Sequence, residues 1–144
     1  MLDIDTFHHT SLPSSDIDRS KRFYAEVLGL KELPRPPFNF PGAWYQVGDR
    51  TLHLIVGRHS TFREGKGIDS HDVHVAIRVK SYGGAIEHLA SLGYQPLDPQ
   101  AANQDPFRTM RLSPTGTAGF PQIYILDPDR NVVEINAERD DSRT

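Results

Sequence analysis

Two segments of the chain, FHHTSLPSSDIDRSKRFYAEVLGL and DVHVAIRVKSYGGAIEHLASLG, carry the same plan, and an internal repeat narrows the possible folds more than composition can. Each opens on a short alternating stretch, passes into a segment with helical character and stops on a glycine. In the first, Ile17, Phe23, Tyr24, Val27 and Leu28 recur at helical spacing. Ser15 or Asp16 offers an acceptor to the unpaired amides of the first turn, and Gly29 stands where a left-handed stop is expected. KEL, AWYQV and RTLHLIV then read as strands, the last two joined by Gly48 and Asp49. In the second segment, DVHVAIRV reads as a strand and SYGGAIEHLASLG as a helix ending on Gly93, weakened by Gly83 and Gly84. YQPL, PQIYIL and NVVEINA follow as strands, the last two joined across Asp127 to Arg130.

Strand, helix, three strands therefore occurs twice. The expectation is an α+β protein of two tandem βαβββ modules, residues 4–57 and 71–138, with a polar linker over 58–70 and a polar C-terminal tail. A chain of 144 residues has the length of one domain with a continuous core.

Laid on one another, the modules align His9 with His74 and His53 with Glu134. Alternation assigns faces to these residues. Val73, Val75, Ile77 and Val79 form one face of their strand, leaving His74, Ala76 and Arg78 on the other. Val133 and Ile135 oppose Glu134 and Asn136, and Leu52, Leu54 and Val56 oppose His53. With Leu12 turned to the helix, His8 and Thr10 share its side, while His9 and Ser11 point away. Four side chains of metal-ligand type thus occupy two equivalent pairs of positions on faces away from the core.

The chain has no cysteine, which excludes disulfides, thiolate zinc sites and a cysteine nucleophile, so any metal must be held by nitrogen and oxygen. A net charge of -3 without a Lys/Arg cluster gives no electrostatic footprint for nucleic acid. No stretch has the length of a membrane span or the character of a secretion signal. These features point to a cytoplasmic protein with a small-molecule partner.

HTSLPSSDIDRSKRFYAEVLGL, HVAIRV with its helix, and YILDPDRNVVEI together resemble the vicinal oxygen chelate superfamily, which includes glyoxalases, fosfomycin-resistance enzymes, bleomycin-resistance proteins and extradiol dioxygenases. The resemblance spans nearly the whole chain. Arg130 stands where the superfamily's DPDGN turn has glycine, a change expected to alter the turn without moving Glu134. The resemblance implies curled sheets forming an open cup around a divalent metal, with helices outside, and a homodimer. It carries the ligand positions to His9, His53, His74 and Glu134, a set suited to Zn, Ni, Co, Mn or Fe(II). Its shared chemistry is chelation of two vicinal substrate oxygens, so that an enolate or oxyanion is stabilised as it forms.

Around this set, Arg78 shares the face of His74, and Ser11 is a polar neighbour of the metal. Trp44, Phe38 and Phe40, in PRPPFNFPGAW, either line an apolar pocket or fill the core. The stretch from Asp98 to Gly119 is long for a connection; it is either a lid bringing Phe107, Arg108 and Arg111 to an anionic substrate, or a solvated extended strand. His59, His71 and His88 read as solvated.

Three functions fit. One is a lyase or isomerase resembling glyoxalase, with Glu134 as ligand and base, although His53 stands where glyoxalases usually have a glutamate. Another is a dioxygenase or thiol transferase, needing only His9, His74 and Glu134. The last is a metal-free drug-binding protein of bleomycin-resistance type, against which the intact ligand set argues. The glyoxalase-like enzyme is the reading adopted.

Overall fold

The computed structural model describes residues 1–57 and 61–142; His59 lies outside them. The described chain forms two compact units, Met1–Phe62 and Arg63–Thr144.

In the first unit, β1 (His9–Ser14) leads to α1 (Ile17–Arg22), which runs on into a π-helical turn over Phe23–Val27. β2 (Lys31–Leu33), β3 (Gly42–Val47) and β4 (Arg50–Val56) complete it. The helix starts at Asp16, whose carboxylate accepts the Arg19 N–H at 3.1 Å, and stops before Gly29, at φ 68. The sheet order is β1-β4-β3-β2, with β1 parallel to β4 and the other pairs antiparallel. Leu12, Ala43, Tyr45, Leu52 and Leu54 form its buried face and meet Phe23, Tyr24 and Val27 of the helical segment. Each fully buried large side chain of this set contributes roughly 1.5–3 kcal/mol. The opposite face carries His9, Ser11, Trp44, Thr51 and His53, as period-two alternation requires.

In the second unit, β5 (His74–Arg78) is followed by α2 (Tyr82–Ser91), β6 (Gln95–Pro96), a single 3-10 turn (Pro106–Arg108), β7 (Thr109–Ser113), β8 (Gln122–Leu126) and β9 (Val132–Asn136). The order β5-β9-β8-β7-β6 repeats that of the first unit and adds one short strand at the edge. Of the two readings for residues 98–119, part of the stretch is a strand, β7, antiparallel to β8.

The glycines near the start of α2 have structural reasons. Gly84 N–H donates to the Ser81 hydroxyl at 2.9 Å, and a Cβ on Gly84 would lie 3.0 Å from that oxygen. Gly83 N–H donates to the Asp141 carboxylate at 2.7 Å, and a Cβ on Gly83 would lie 3.1 Å from the Cα of Ser142. The C-terminal segment thus lies across the first turn of α2, where a larger side chain would push it off.

Between β8 and β9, the buried Asp127 carboxylate accepts from Asp129 N–H, Asn131 N–H and the Asn131 side-chain amide at 2.9, 2.8 and 2.7 Å. Arg130 takes the left-handed backbone that glycine favours, at φ 67. Its guanidinium donates to the Lys66 carbonyl at 2.8 Å and lies 5.0 Å over the Phe107 ring. No helix among the described residues is long and apolar enough to cross a membrane.

Candidate functional site

Strand register makes the two halves equivalent residue by residue. Ser11 pairs with His53 and Ala76 with Glu134, so His9 and His74 each stand two residues before the partner of the other candidate ligand. Across the neighbouring strand, Trp44 pairs with His53 and Tyr124 with Glu134. Because paired residues share a face, each sheet presents one pair of candidate ligands and one aromatic ring on the side away from its helix.

In the second unit the pair is His74 and Glu134. The Asp72 carbonyl accepts a hydrogen bond from Nδ1 of His74 at 2.8 Å, which leaves Nε2 as the presented atom, 3.1 Å from Oε2 of Glu134. Oε1 of Glu134 accepts from the Asn136 amide at 2.7 Å and from the Gln122 amide at 3.1 Å. Burial pushes the Glu134 carboxyl pKa up, but hydrogen bonds from Asn136, Gln122 and Tyr124, with the nearby His74, outweigh it and hold the group below the usual carboxylate range. Burial, then Glu134, push the Tyr124 phenol up. Glu134 is therefore an ionised carboxylate in a buried setting, with one oxygen tied down and the other directed at an imidazole.

The first unit holds its pair differently. His53 is 8% exposed and sandwiched, with the Trp44 ring 4.3 Å to one side and the His9 ring 4.2 Å to the other, at interplanar angles of 8° and 16°. Its Nε2 lies 3.0 Å from the Thr51 hydroxyl. Burial, then His9, His8 and Arg35, lower its pKa, which favours the neutral form a ligand must have. Nδ1 of the exposed His9 lies 2.7 Å from Nδ1 of His8. Alternation separates these two side chains only within a strand, and β1 begins at His9, so His8 can turn its ring back.

The other candidates are distributed as follows. Arg78 stays on the His74 face with its guanidinium 4.8 Å over Phe120. Arg111 pairs with Tyr124 across the sheet and reaches Ser70 at 3.3 Å, whereas Arg108 lies over Tyr94 at 5.2 Å. Phe107 packs on the small cluster Tyr124, Leu126 and Val132. Ser11 is exposed beside His53, and His71 and His88 are exposed. Sequence reasoning missed Gln122, Asn136 and Tyr124 as supports of Glu134; their common strand face was the available signal.

A divalent metal fits the second pair well. The 3.1 Å between its two atoms is close to the span of two ligands at right angles on one cation, about 3 Å for bonds of ~2.1 Å. The Asp72 carbonyl on the other ring nitrogen is the usual outer support of a metal-binding histidine. The first pair supplies nitrogen donors, but ring lone pairs lie in the ring plane, so two near-parallel stacked imidazoles do not converge without a turn of the exposed His9. Among the described residues no group of three or more His, Asp or Glu side chains is gathered to hold a metal.

Residues 6–135 match the family model of the Glyoxalase/Bleomycin resistance protein/Dioxygenase superfamily. A relative named Glyoxylase I 4, from Arabidopsis thaliana, is 27% identical over 136 residues, covering 93% of this chain and 71% of its own. Lactoylglutathione lyase from Agrobacterium tumefaciens shares the fold at TM-score 0.62 and 16% identity, over 94% of this chain and 96% of its own. A mutant of the fosfomycin-resistance protein FosX from Listeria monocytogenes, complexed with Mn(II) and 1S,2S-dihydroxypropylphosphonic acid, shares it at TM-score 0.65 and 15% identity, over 97% of each chain.

Proposed function

Because the chain belongs to the Glyoxalase/Bleomycin resistance protein/Dioxygenase superfamily, we propose that it is a divalent-metal-dependent enzyme of the glyoxalase type, acting on a small substrate with vicinal oxygens. The observation that carries this reading is the His74–Glu134 pair, 3.1 Å apart and braced on both sides. The proposed ligands are His74 and Glu134 of the second unit and His9 and His53 of the first. The Arabidopsis relative's name and the Mn(II) in the FosX complex support the reading.

A bound divalent cation supplies Lewis acidity, stabilising negative charge as it develops on a substrate oxygen. The Asp72 carbonyl orients His74 so that Nε2 is the donor atom. Asn136 and Gln122 keep Glu134 ionised, so that its Oε2 would hold the cation or, when not so engaged, accept a proton from the substrate carbon beside the vicinal oxygens. Arg78 and Arg111 bind anionic substrate groups from the same face, with Arg108, Phe107, Ser11 and Trp44 as further contacts. The protein works as a homodimer in the cytoplasm.

A second reading draws on the Trp44–His53–His9 stack: His53 is a neighbour rather than a ligand, and three ligands serve a dioxygenase or a thiol transferase. Metal analysis of protein purified without added metal decides between them. His9→Ala, His74→Ala and Glu134→Ala are each expected to weaken metal binding by at least about 100-fold, and His8→Ala to retain it. Loss of metal in His53→Ala favours four ligands and the glyoxalase reading; retention favours three. Metal retained by all three principal variants would overturn the proposal. Turnover of hemithioacetals, catechols, or fosfomycin with thiols then separates the reactions.

A further inference from the structure

Beyond the Trp44–His53 stack, with Phe38 6.2 Å from Trp44, the first unit has an open groove of about 630 Å³ between α1 and the segment leading into β3, lined by Ile17, Lys21, Arg35, Phe38 and Phe40 among others. That volume is in the range of small-molecule sites. Its central feature is the half-buried Arg35. The guanidinium lies 4.7 Å over the Phe38 ring and 4.9 Å over the Phe40 ring, and these rings stack on each other at 5.2 Å. Nη2 donates to the Phe40 carbonyl at 3.0 Å. Gly42 makes room on another side, since a Cβ there would lie 2.9 Å from Nη2. The cation is thus fixed in position before any ligand arrives.

Among the described residues its charge has no paired carboxylate. Lys21 is paired with Glu32 at 2.7 Å, but no carboxylate pairs with Arg35 among the described residues. Asp18 lines the groove from the exposed side of α1. Of the five N–H donors a guanidinium carries, one goes to Phe40 and the others have no protein acceptor among the described residues. A planar donor group held over two rings and without a carboxylate partner among the described residues matches a carboxylate in geometry as well as sign. Phe38, 46% exposed, offers an apolar surface next to it. We propose that this groove binds a small organic carboxylate, its aromatic body on Phe38 and Phe40 and its two oxygens on Arg35. The site goes beyond the metal reading and does not depend on it.

The test uses the full chain treated with EDTA, titrated with phenylacetate, phenylacetamide and inorganic phosphate while NMR follows the Arg35 Nε–H and the Phe38 and Phe40 ring signals. Phenylacetate is expected to bind with a Kd on the order of millimolar and to move all three signals, with phenylacetamide and phosphate at least about tenfold weaker. Arg35→Gln should remove the preference for the acid over the amide. Phe38→Ala, at a well-exposed position, should weaken phenylacetate several-fold by removing both the apolar surface and one of the two rings that hold the guanidinium, while leaving the acid preferred over the amide. No binding, equal binding of acid and amide, phosphate as tight as phenylacetate, or phenylacetate affinity unchanged in both variants would each overturn the proposal.

Discussion

Glu134 shows how one residue can be both buried and ionised. Its carboxylate is worth more to the fold charged than neutral, because Asn136 and Gln122 donate to Oε1. Asn136→Ala removes the shorter of these bonds together with Asn136 Oδ1, which is buried without a partner among the described residues, and that second loss tempers the cost. The expected net destabilisation is about 1–2 kcal/mol at neutral pH. The sign with pH follows from the lowered pKa of Glu134: the stability it contributes is present above the unfolded-state pKa and is lost as pH falls through the folded value. Wild type and variant should therefore converge in acid. Urea unfolding at about pH 7 and about pH 3 measures this; a constant gap between the two would show that Asn136 acts by packing alone. His9, His74 and Glu134 were legible as candidates because alternation assigns a face to every strand residue. The supports were not, since Asn and Gln beside a carboxylate look like ordinary surface polarity until the strand pairing is known.

Among the elements, α2 is the one whose sequence argues against it. Two glycines in its first turn would ordinarily be improved by alanine, by up to about 1 kcal/mol each. Gly83 is different because the chain near Ser142 lies where its Cβ would go, and its N–H already bonds Asp141. Gly83→Ala is therefore expected to give no gain in the full chain and a gain in a chain lacking residues 141–144. Thermal unfolding of the two pairs checks this, and an equal gain in both would mean that the C-terminal segment exerts no pressure on α2. β7 was harder to read than α2. Met110 and Leu112 alternate with Thr109, Arg111 and Ser113 as a strand should, but only five residues carry the pattern, amid prolines and glycines that signal a loop. Its pairing with β8 comes from tertiary structure that a local pattern does not contain.

For the whole molecule, the repeat was the most readable property, since both units keep one strand order and one register. The 58–70 stretch reads in sequence only as a polar connection. Residues 63–72 belong to the second unit, fastened by the buried Arg63 to Asp72 at 2.9 Å, to the Gly67 carbonyl at 3.1 Å and to the Arg130 carbonyl. A lone arginine in a polar run gives no sign that it will be 8% exposed. The aromatic column in the first unit bears on the molecule as a whole in another way. Trp44 is the only tryptophan in the chain, so all indole fluorescence of the protein arises 4.3 Å from a candidate ligand. An imidazolium or a paramagnetic ion near an excited indole drains its emission. Acidification should dim Trp44 as His53 charges, at a pH below that of an ordinary histidine because burial disfavours the cation. Co(II) or Mn(II) held by His53, as the four-ligand proposal requires, should dim it at neutral pH in wild type and not in His53→Ala. On that proposal the protein carries its own optical gauge of the state of His53, readable without a label.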